Sequence, residues 1–174
     1  MERDTSKMTT EKAGMVFFWE DKSPFSQFHP ARFTADGKTF THAEQYMMYS
    51  KAMLFGDEAT AEQITAADVP KKMKALGRRV SPFDEKIWKA NREEIVYKGS
   101  MAKFSQNEGL RKVLLDTGDK MLVEASPFDR IWGIGMGANA AGVENPKNWK
   151  GQNLLGKALR RARETIRNEE GKTN

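Results

Sequence analysis

The side chains of this 174-residue sequence that could do chemistry are carboxylates, lysines and aromatic rings, because it has no cysteine and only two histidines, His29 and His42. That removes thiolate metal sites and cysteine nucleophiles, and leaves little material for a multi-histidine metal centre or a Ser-His-Asp triad. Glu44, Glu124 and Asp129 are the candidate acids. Cleavage at an anomeric carbon develops positive charge, which a nearby carboxylate offsets while also serving as general acid or base. Lys51 follows Glu44 by seven residues. At about 100° per residue the two project from nearly the same face of a helix, roughly 10 Å apart along its axis. An amine close to an anomeric carbon can attack it and form a Schiff base. Lys22, in the loop EDKSPFSQF, offers the same group with less geometry behind it.

Each of these residues also has a plainer reading. Thr41 and Glu44 have the T-x-x-E spacing of a capping box, which alone accounts for a glutamate there. Lys51 has the spacing of a solvent-facing lysine, and Asp129 in SPFDR that of a turn or capping residue. Most of the rings in FFWEDKSPFSQF are expected in the core, with Phe25 a candidate for substrate binding. Trp132 is different, because it directly precedes Gly133 and Gly135: a flat indole suits stacking on a planar base, and glycines let backbone approach a phosphate. GIGMG is not a dinucleotide-binding fingerprint, since its third glycine is misplaced and no βαβ unit surrounds it.

The elements that must position these groups can be read from periodicity and punctuation. MVFFW (15–19) reads as a buried strand, and ARFTADGKTFT places Asp36-Gly37 between two alternating runs, a hairpin signal. HAEQYMMYSKAMLF forms a helix opened by the Thr41 box and closed by Gly56. TAEQITAA is a second helix, and Pro70 begins a third that ends at Gly77. Ser81 is expected to cap a long helix reaching about Phe104, with Pro82 at its first position and Phe83, Ile87, Ile95 and Met101 as its apolar side chains. Ser105 and Glu108 repeat the capping device for SQNEGLRKVLLDTG. DKMLVEAS reads as a strand. Glycines 133, 135, 137 and 142 make a loop of GIGMGANAAG, each costing a helix roughly 0.5–1 kcal/mol relative to alanine. A terminal helix turns Leu154, Leu155, Ala158, Leu159, Ala162 and Ile166 inward. The expected fold class is α+β: a mostly helical single domain over residues 15–168 with a small β-sheet. Residues 1–14 and 169–174 are expected to be loose tails.

The phrase SPFDEKIW at Ser81 returns as SPFDRIW at Ser126, but the flanks do not match, so a duplicated domain is not indicated. The formal charge of +5 and pI near 9.4 suit polyanions such as nucleic acids and pyrophosphates. Arg160, Arg161, Arg163 and Arg167 are expected to form the solvated face of the last helix. No apolar run approaches membrane-spanning length, and the start lacks the apolar stretch of a secretory signal. A cytosolic or nuclear protein without a membrane partner, metal or cofactor is expected.

The strings SPFSQF, F-T-H-A-E-Q-Y (40–46), YSKA (49–52), ALGRRV (75–80), IW (87–88), AKFSQN (102–107), LLDTG (114–118), LVEASPFDRIWGIGM (122–136) and NWKGQNLLGKAL (148–159) together resemble the NADAR family of YbiA-like proteins in order and spacing. The resemblance spans residues about 16 to 167, and its most specific parts are D-x-x-W-G-x-G and G-x-N-x-L-G. It implies N-glycosidase activity on ribosylated bases: removal of ADP-ribose from modified guanine in nucleic acid, or hydrolysis of phosphoribosylated intermediates of riboflavin synthesis. A non-catalytic ADP-ribose or nucleic-acid binding module is the alternative of another class. By motif, Glu44, Trp88, Asp129 and Trp132 resemble the family's active-site set, so both copies of the repeated phrase are expected to serve one cleft. Gly151 and Asn153 fall in its glycine/asparagine motif, and Lys51 matches its lysine after the glutamate. Gln27 departs from the family, which more usually has asparagine there.

Overall fold

The computed structural model describes residues 9–172. Their element order is β1 (Thr9–Lys12), β2 (Met15–Phe18), β3 (Pro30–Ala35), β4 (Lys38–His42), α1 (Ala43–Leu54), α2 (Glu58–Ala66), α3 (Pro70–Gly77), α4 (Glu85–Ser105), α5 (Glu108–Asp116), β5 (Met121–Glu124) and α6 (Leu154–Lys172), with a 3-10 turn at Pro146–Asn148. The fold class is α+β, as expected, with a three-stranded sheet β1-β2-β5 and a separate hairpin β3-β4 in place of one sheet. The described chain gathers into two compact units, Pro30–Glu108 and the segments 9–29 with 109–172.

In the Pro30–Glu108 unit, Asp36 and Gly37 both adopt positive φ, 52° and 75°. These are the angles that make a two-residue hairpin match the strands' twist. The hairpin turns Phe33 and Phe40 onto α1, where both rings meet Tyr46, and Phe40 also meets Tyr49. α1 is the axis of this unit: Ala43 through Tyr49 are all buried, which for a helix means neighbours on every side. Two of those neighbours come close because they present glycine. A Cβ on Gly77 would lie 1.9 Å from the Met48 sulfur, and one on Gly99 would lie 2.8 Å from the Tyr46 ring.

In the other unit, β2 is buried at all four positions and pairs antiparallel with β1 and parallel with β5. The expected N-terminal tail is therefore corrected at Thr9–Lys12. The segment TTEK carries no apolar pattern because an edge strand is held by backbone pairing and can keep polar side chains. Its rim is fixed by Lys12, which donates to the Ala138 carbonyl at 2.6 Å and pairs with Glu144, and by Glu11, which pairs with Lys120. Residues 1–8, the rest of that expected tail, lie outside the described residues. At the other end α6 continues to Lys172, past the expected limit of 168. Arg111 pairs with Glu170 there.

All six apolar residues expected on the inner face of α6 are buried. The arginine run is not uniformly solvated, however. Arg163 is 2% exposed and donates to Thr117 Oγ1 and to the Lys120 carbonyl, while Arg167 reaches Asp119 and the Gly118 carbonyl. These arginines tie α6 to the turn between α5 and β5, which leaves carbonyls that need donors. At the start of α6, Gly156 lies against β5: a Cβ there would stand 2.1 Å from the Leu122 carbonyl oxygen and 2.4 Å from Asn153 Nδ2. Gly156→Ala is expected to lower the urea midpoint by the equivalent of about 1–3 kcal/mol, the usual cost of overpacking a close contact. Gly171→Ala on the same helix, with nothing within 4 Å, should leave the midpoint unchanged or raise it.

Candidate functional site

The start of α1 does not use the capping box its sequence spells. The N-cap is His42, which makes no side-chain cap bond. The Thr41 N–H donates instead to Gln45 Oε1 at 2.8 Å. Gln45 Nε2 meanwhile donates to the carbonyls of Ile64 and Thr65, so this one amide closes the start of α1 and the end of α2. Glu44, next to that glutamine, is 4% exposed. A carboxylate in the first turn suits the helix dipole, but burying one is costly unless it is paired or used.

Lys51 is half-buried on the same helix, not the solvent-facing lysine its spacing allows. Its Nζ donates to the Gly77 carbonyl at 2.8 Å and lies 4.8 Å from the Phe83 ring centre and 5.5 Å from that of Trp88. Aromatic faces attract an ammonium. Burial lowers the Lys51 pKa from the usual lysine value, the Glu44 carboxylate pulls it partly back up, and Arg78 adds a smaller push downward. The Pro30–Glu108 unit therefore brings Glu44, Lys51 and Trp88 into one electrostatic neighbourhood and adds Phe83, which the sequence marks only as an apolar residue of that helix. Phe83 is 47% exposed, with Phe55 at its edge, and Ile87 is 46% exposed.

The helix that carries Trp88 begins later than its sequence suggests. Asp84, not Ser81, is the N-cap, accepting from the Ile87 N–H, while the Ser81 N–H is taken by Asp57. Ser105 is the last residue of α4 and turns its hydroxyl back to the Met101 carbonyl, so it does not cap α5. In the second copy of the phrase, Asp129 Oδ1 accepts from the N–H groups of Ile131 and Trp132 at 2.9 and 2.8 Å. The Ser126 hydroxyl accepts from the N–H groups of Phe128 and Asp129. The shared phrase thus builds one device twice: an aspartate receiving the amides of the following turn, ahead of an Ile-Trp pair. A helix follows only the first copy.

The loop after the second copy is held by its own backbone. Residues 150, 152, 153, 154 and 155 donate to the carbonyls of 134, 130, 133, 131 and 132 respectively. Gly133 and Gly151 make that approach achievable: a Cβ on Gly151 would lie 2.3 Å from the Gly133 carbonyl oxygen, and one on Gly133 would lie 2.9 Å from the Asp129 and Glu124 oxygens. Gly135 has φ 67° and packs on Arg130 and Lys150. Asn153, at φ 54°, accepts from the Glu124 N–H and donates to the Leu122 carbonyl, so its amide is committed to β5. Close packing accounts for Gly133, Gly151 and Asn153 without a ligand. Asp129 Oδ2 is not used by the turn, and Trp132 is half-buried. Phe25, a candidate for substrate binding, is instead a core ring, 2% exposed against Phe18, and Lys22 is exposed in the loop before it. Trp19 instead pairs with Phe128, a ring that is 84% exposed.

A shallow hollow at the first turn of α4 is lined by Asp84, Glu85, Lys86 and Lys89. All four are exposed, and Glu85 pairs with Lys89, so it offers no buried acid or amine. Among the described residues no group of three His, Asp or Glu side chains is placed to hold a metal ion, and no helix is long and apolar enough to cross a membrane.

A family model described as the NADAR domain matches residues 17–167. N-glycosidase R617 of Acanthamoeba polyphaga mimivirus is 49% identical over 146 residues, 80% of this chain and 85% of that one. Protein irg-1 of Caenorhabditis elegans is 41% identical over 167 residues, 87% of this chain and 79% of that one. N-glycosidase YbiA of Escherichia coli (strain K12) is 33% identical over 147 residues, 84% and 83% respectively. The NMR structure of the E. coli protein YbiA superposes with a TM-score of 0.74 at 30% identity, covering 97% of this chain and 94% of that one. By sequence along nearly its whole length, and by fold, the chain belongs to the NADAR domain family.

Proposed function

We propose that the chain is an N-glycosidase, and that the bond it hydrolyses joins ADP-ribose to guanine in nucleic acid. The first part is supported by the relatives that are themselves named N-glycosidases. The observation that carries the chemistry is the half-buried Lys51 amine, set against two aromatic rings and electrostatically coupled to a buried glutamate on the same helix. An amine of lowered pKa has more of its neutral, nucleophilic form near neutrality than an exposed lysine does.

Glu44 acts as the proton carrier. Departure of guanine requires a proton at its nitrogen as the bond from C1′ breaks, and a carboxyl group can deliver it. Lys51 attacks C1′ as guanine leaves with the bonding pair. Opening of the ribose ring, with the proton passing to O4′, gives an imine between Lys51 and the sugar. Water then adds to the imine carbon and the amine is expelled. The sum is ADP-ribosyl-guanine plus water giving ADP-ribose plus guanine. Phe83 and Trp88 offer flat apolar faces that limit water around the amine, strengthening the electrostatics there. In the unit that holds them, Asp129 keeps Oδ2 unused by its turn, and Trp132 is half-buried. The net charge of +5 favours a polyanionic substrate.

Incubation with ADP-ribosylated guanine DNA should release unmodified guanine sites and free ADP-ribose, faster than phosphoribosylated pyrimidines are cleaved. Preference for the pyrimidines would move the assignment to the second substrate, and no release from either would leave a binding module. Glu44→Gln should fold and bind while kcat falls about 10²–10⁴-fold, the usual range for loss of a general acid or base. Borohydride added during turnover should leave a reduced sugar adduct on Lys51, detectable by mass spectrometry. Its yield should rise with pH through the lowered Lys51 pKa. In Glu44→Gln that rise should occur at lower pH still, because the charge that pulls the pKa up is gone. An adduct on neither Lys51 nor Lys22 would remove the covalent route.

A further inference from the structure

Arg92 lies on α4 one turn after Trp88, on the buried stripe that continues through Val96 and Gly99. It is 7% exposed, and its enclosed Nε meets no hydrogen-bond acceptor. Among the described residues, no carboxylate or carbonyl bonds to its guanidinium at all. This separates it from the other deeply placed arginine, Arg163, which gives its terminal nitrogen to Thr117 and Lys120. A guanidinium cannot escape burial by losing its proton, so a buried one needs an anion or a set of acceptors to offset its desolvation. Nothing in its own unit supplies them. Its planar fork is matched to the oxygens of a phosphate.

The position of Arg92 says which phosphate. Trp88 and Arg92 are separated by four residues, a rise of about 6 Å on one side of the helix. The Trp88 end of that interval is where Lys51 Nζ lies, 5.5 Å from the indole ring. If Lys51 addresses C1′ of a ribose, the other end of the sugar, C5′ with its phosphate, falls one helical turn along. We propose that Arg92 holds the phosphate on C5′ of the ribose whose anomeric carbon faces Lys51. The assignment rests on the N-glycosidase reading for the identity of the sugar, and it deepens that reading. ADP-ribosyl and phosphoribosyl substrates share this phosphate, so Arg92 reads what the two have in common and leaves the distinction between them to other residues. Arg78, close enough to act on the Lys51 charge, adds to the positive field, and Glu44 is the acid that acts on it from within the unit.

The test is calorimetric binding of ribose 5-phosphate, of ADP-ribose and of unphosphorylated ribose to the full chain and to Arg92→Met and Arg92→Lys, with circular dichroism and melting curves to establish folding. The unsubstituted chain should bind ribose 5-phosphate at least tenfold more tightly than ribose. Arg92→Met should abolish that preference and weaken ADP-ribose by a similar factor. Arg92→Lys, which keeps the charge and loses the fork, should fall between the two. In turnover, Arg92→Met should raise KM for a 5′-phosphorylated substrate at least tenfold with a much smaller change in kcat, and leave the dephosphorylated substrate unaffected. A folded Arg92→Met that keeps the phosphate preference overturns the proposal. So does an unsubstituted chain that shows none. Should Arg92→Met not fold, Arg92→Lys decides, and identity with the unsubstituted chain is again fatal. Loss of the preference in a chain that cleaves no N-glycoside would sink the enzymatic reading and keep this site, whereas cleavage with an unchanged preference would do the reverse.

Discussion

The hydrogen bond from the Thr41 N–H to the Gln45 side chain governs what the first turn of α1 can do. A helix start has N–H groups that must find acceptors, and in a capping box the residue three after the cap supplies one. Here Gln45 serves the upstream amide with its oxygen and the end of α2 with its nitrogen. Glu44, beside it in the first turn, is buried within the unit. From that buried position on α1 the Glu44 carboxylate acts on the Lys51 charge.

Burial then gives the residues of this unit their character. α1 is enclosed by the hairpin, α2, α3 and α4, which approach it through residues such as Gly77 and Gly99 that carry no side chain. Lys51 lies where that enclosure opens, with its amine on a carbonyl and two rings. The 109–172 segment is built differently: Gly133 and Gly151 serve mutual contact of two backbone stretches, and Asn153 has spent its amide on β5. These side chains shape a loop that presents Asp129 and Trp132, which is a positioning role.

Much of the fold was legible because its signals are local. Asp36-Gly37 marks a hairpin whatever surrounds it, and Pro70, Gly77 and the apolar stripe of α6 fix their helices by spacing alone. The misreadings share a cause, which is that alternative partners were distant in sequence or chemically equivalent. T-x-x-E looks the same whether the glutamate or the adjacent glutamine bonds the backbone. Ser81 and Asp84 both make acceptable caps, and only the pull of Asp57 on the Ser81 amide separates them. β1 has no periodicity because its partner β2 supplies the apolar face. Among the site residues, Glu44, Lys51 and Trp88 were nameable from spacing and family resemblance. The half-burial of Lys51, the arrival of Phe83 beside it and the isolation of Arg92 depend on tertiary neighbours that spacing does not encode.

The clasp at Glu124 and Asn153 joins the last residue of β5 to the residue immediately before α6. The stretch from 125 to 152 leaves and re-enters the scaffold at that clasp, and its Ala125, Ile134 and Val143 pack with Met15, Phe17 and Val123 in one core cluster. Such an arrangement divides one excursion into residues that carry stability and residues that face outward. The outward residues of this excursion, the 84% exposed Phe128 among them, are more open to rewriting than the apolar ones that the frame shares as its core.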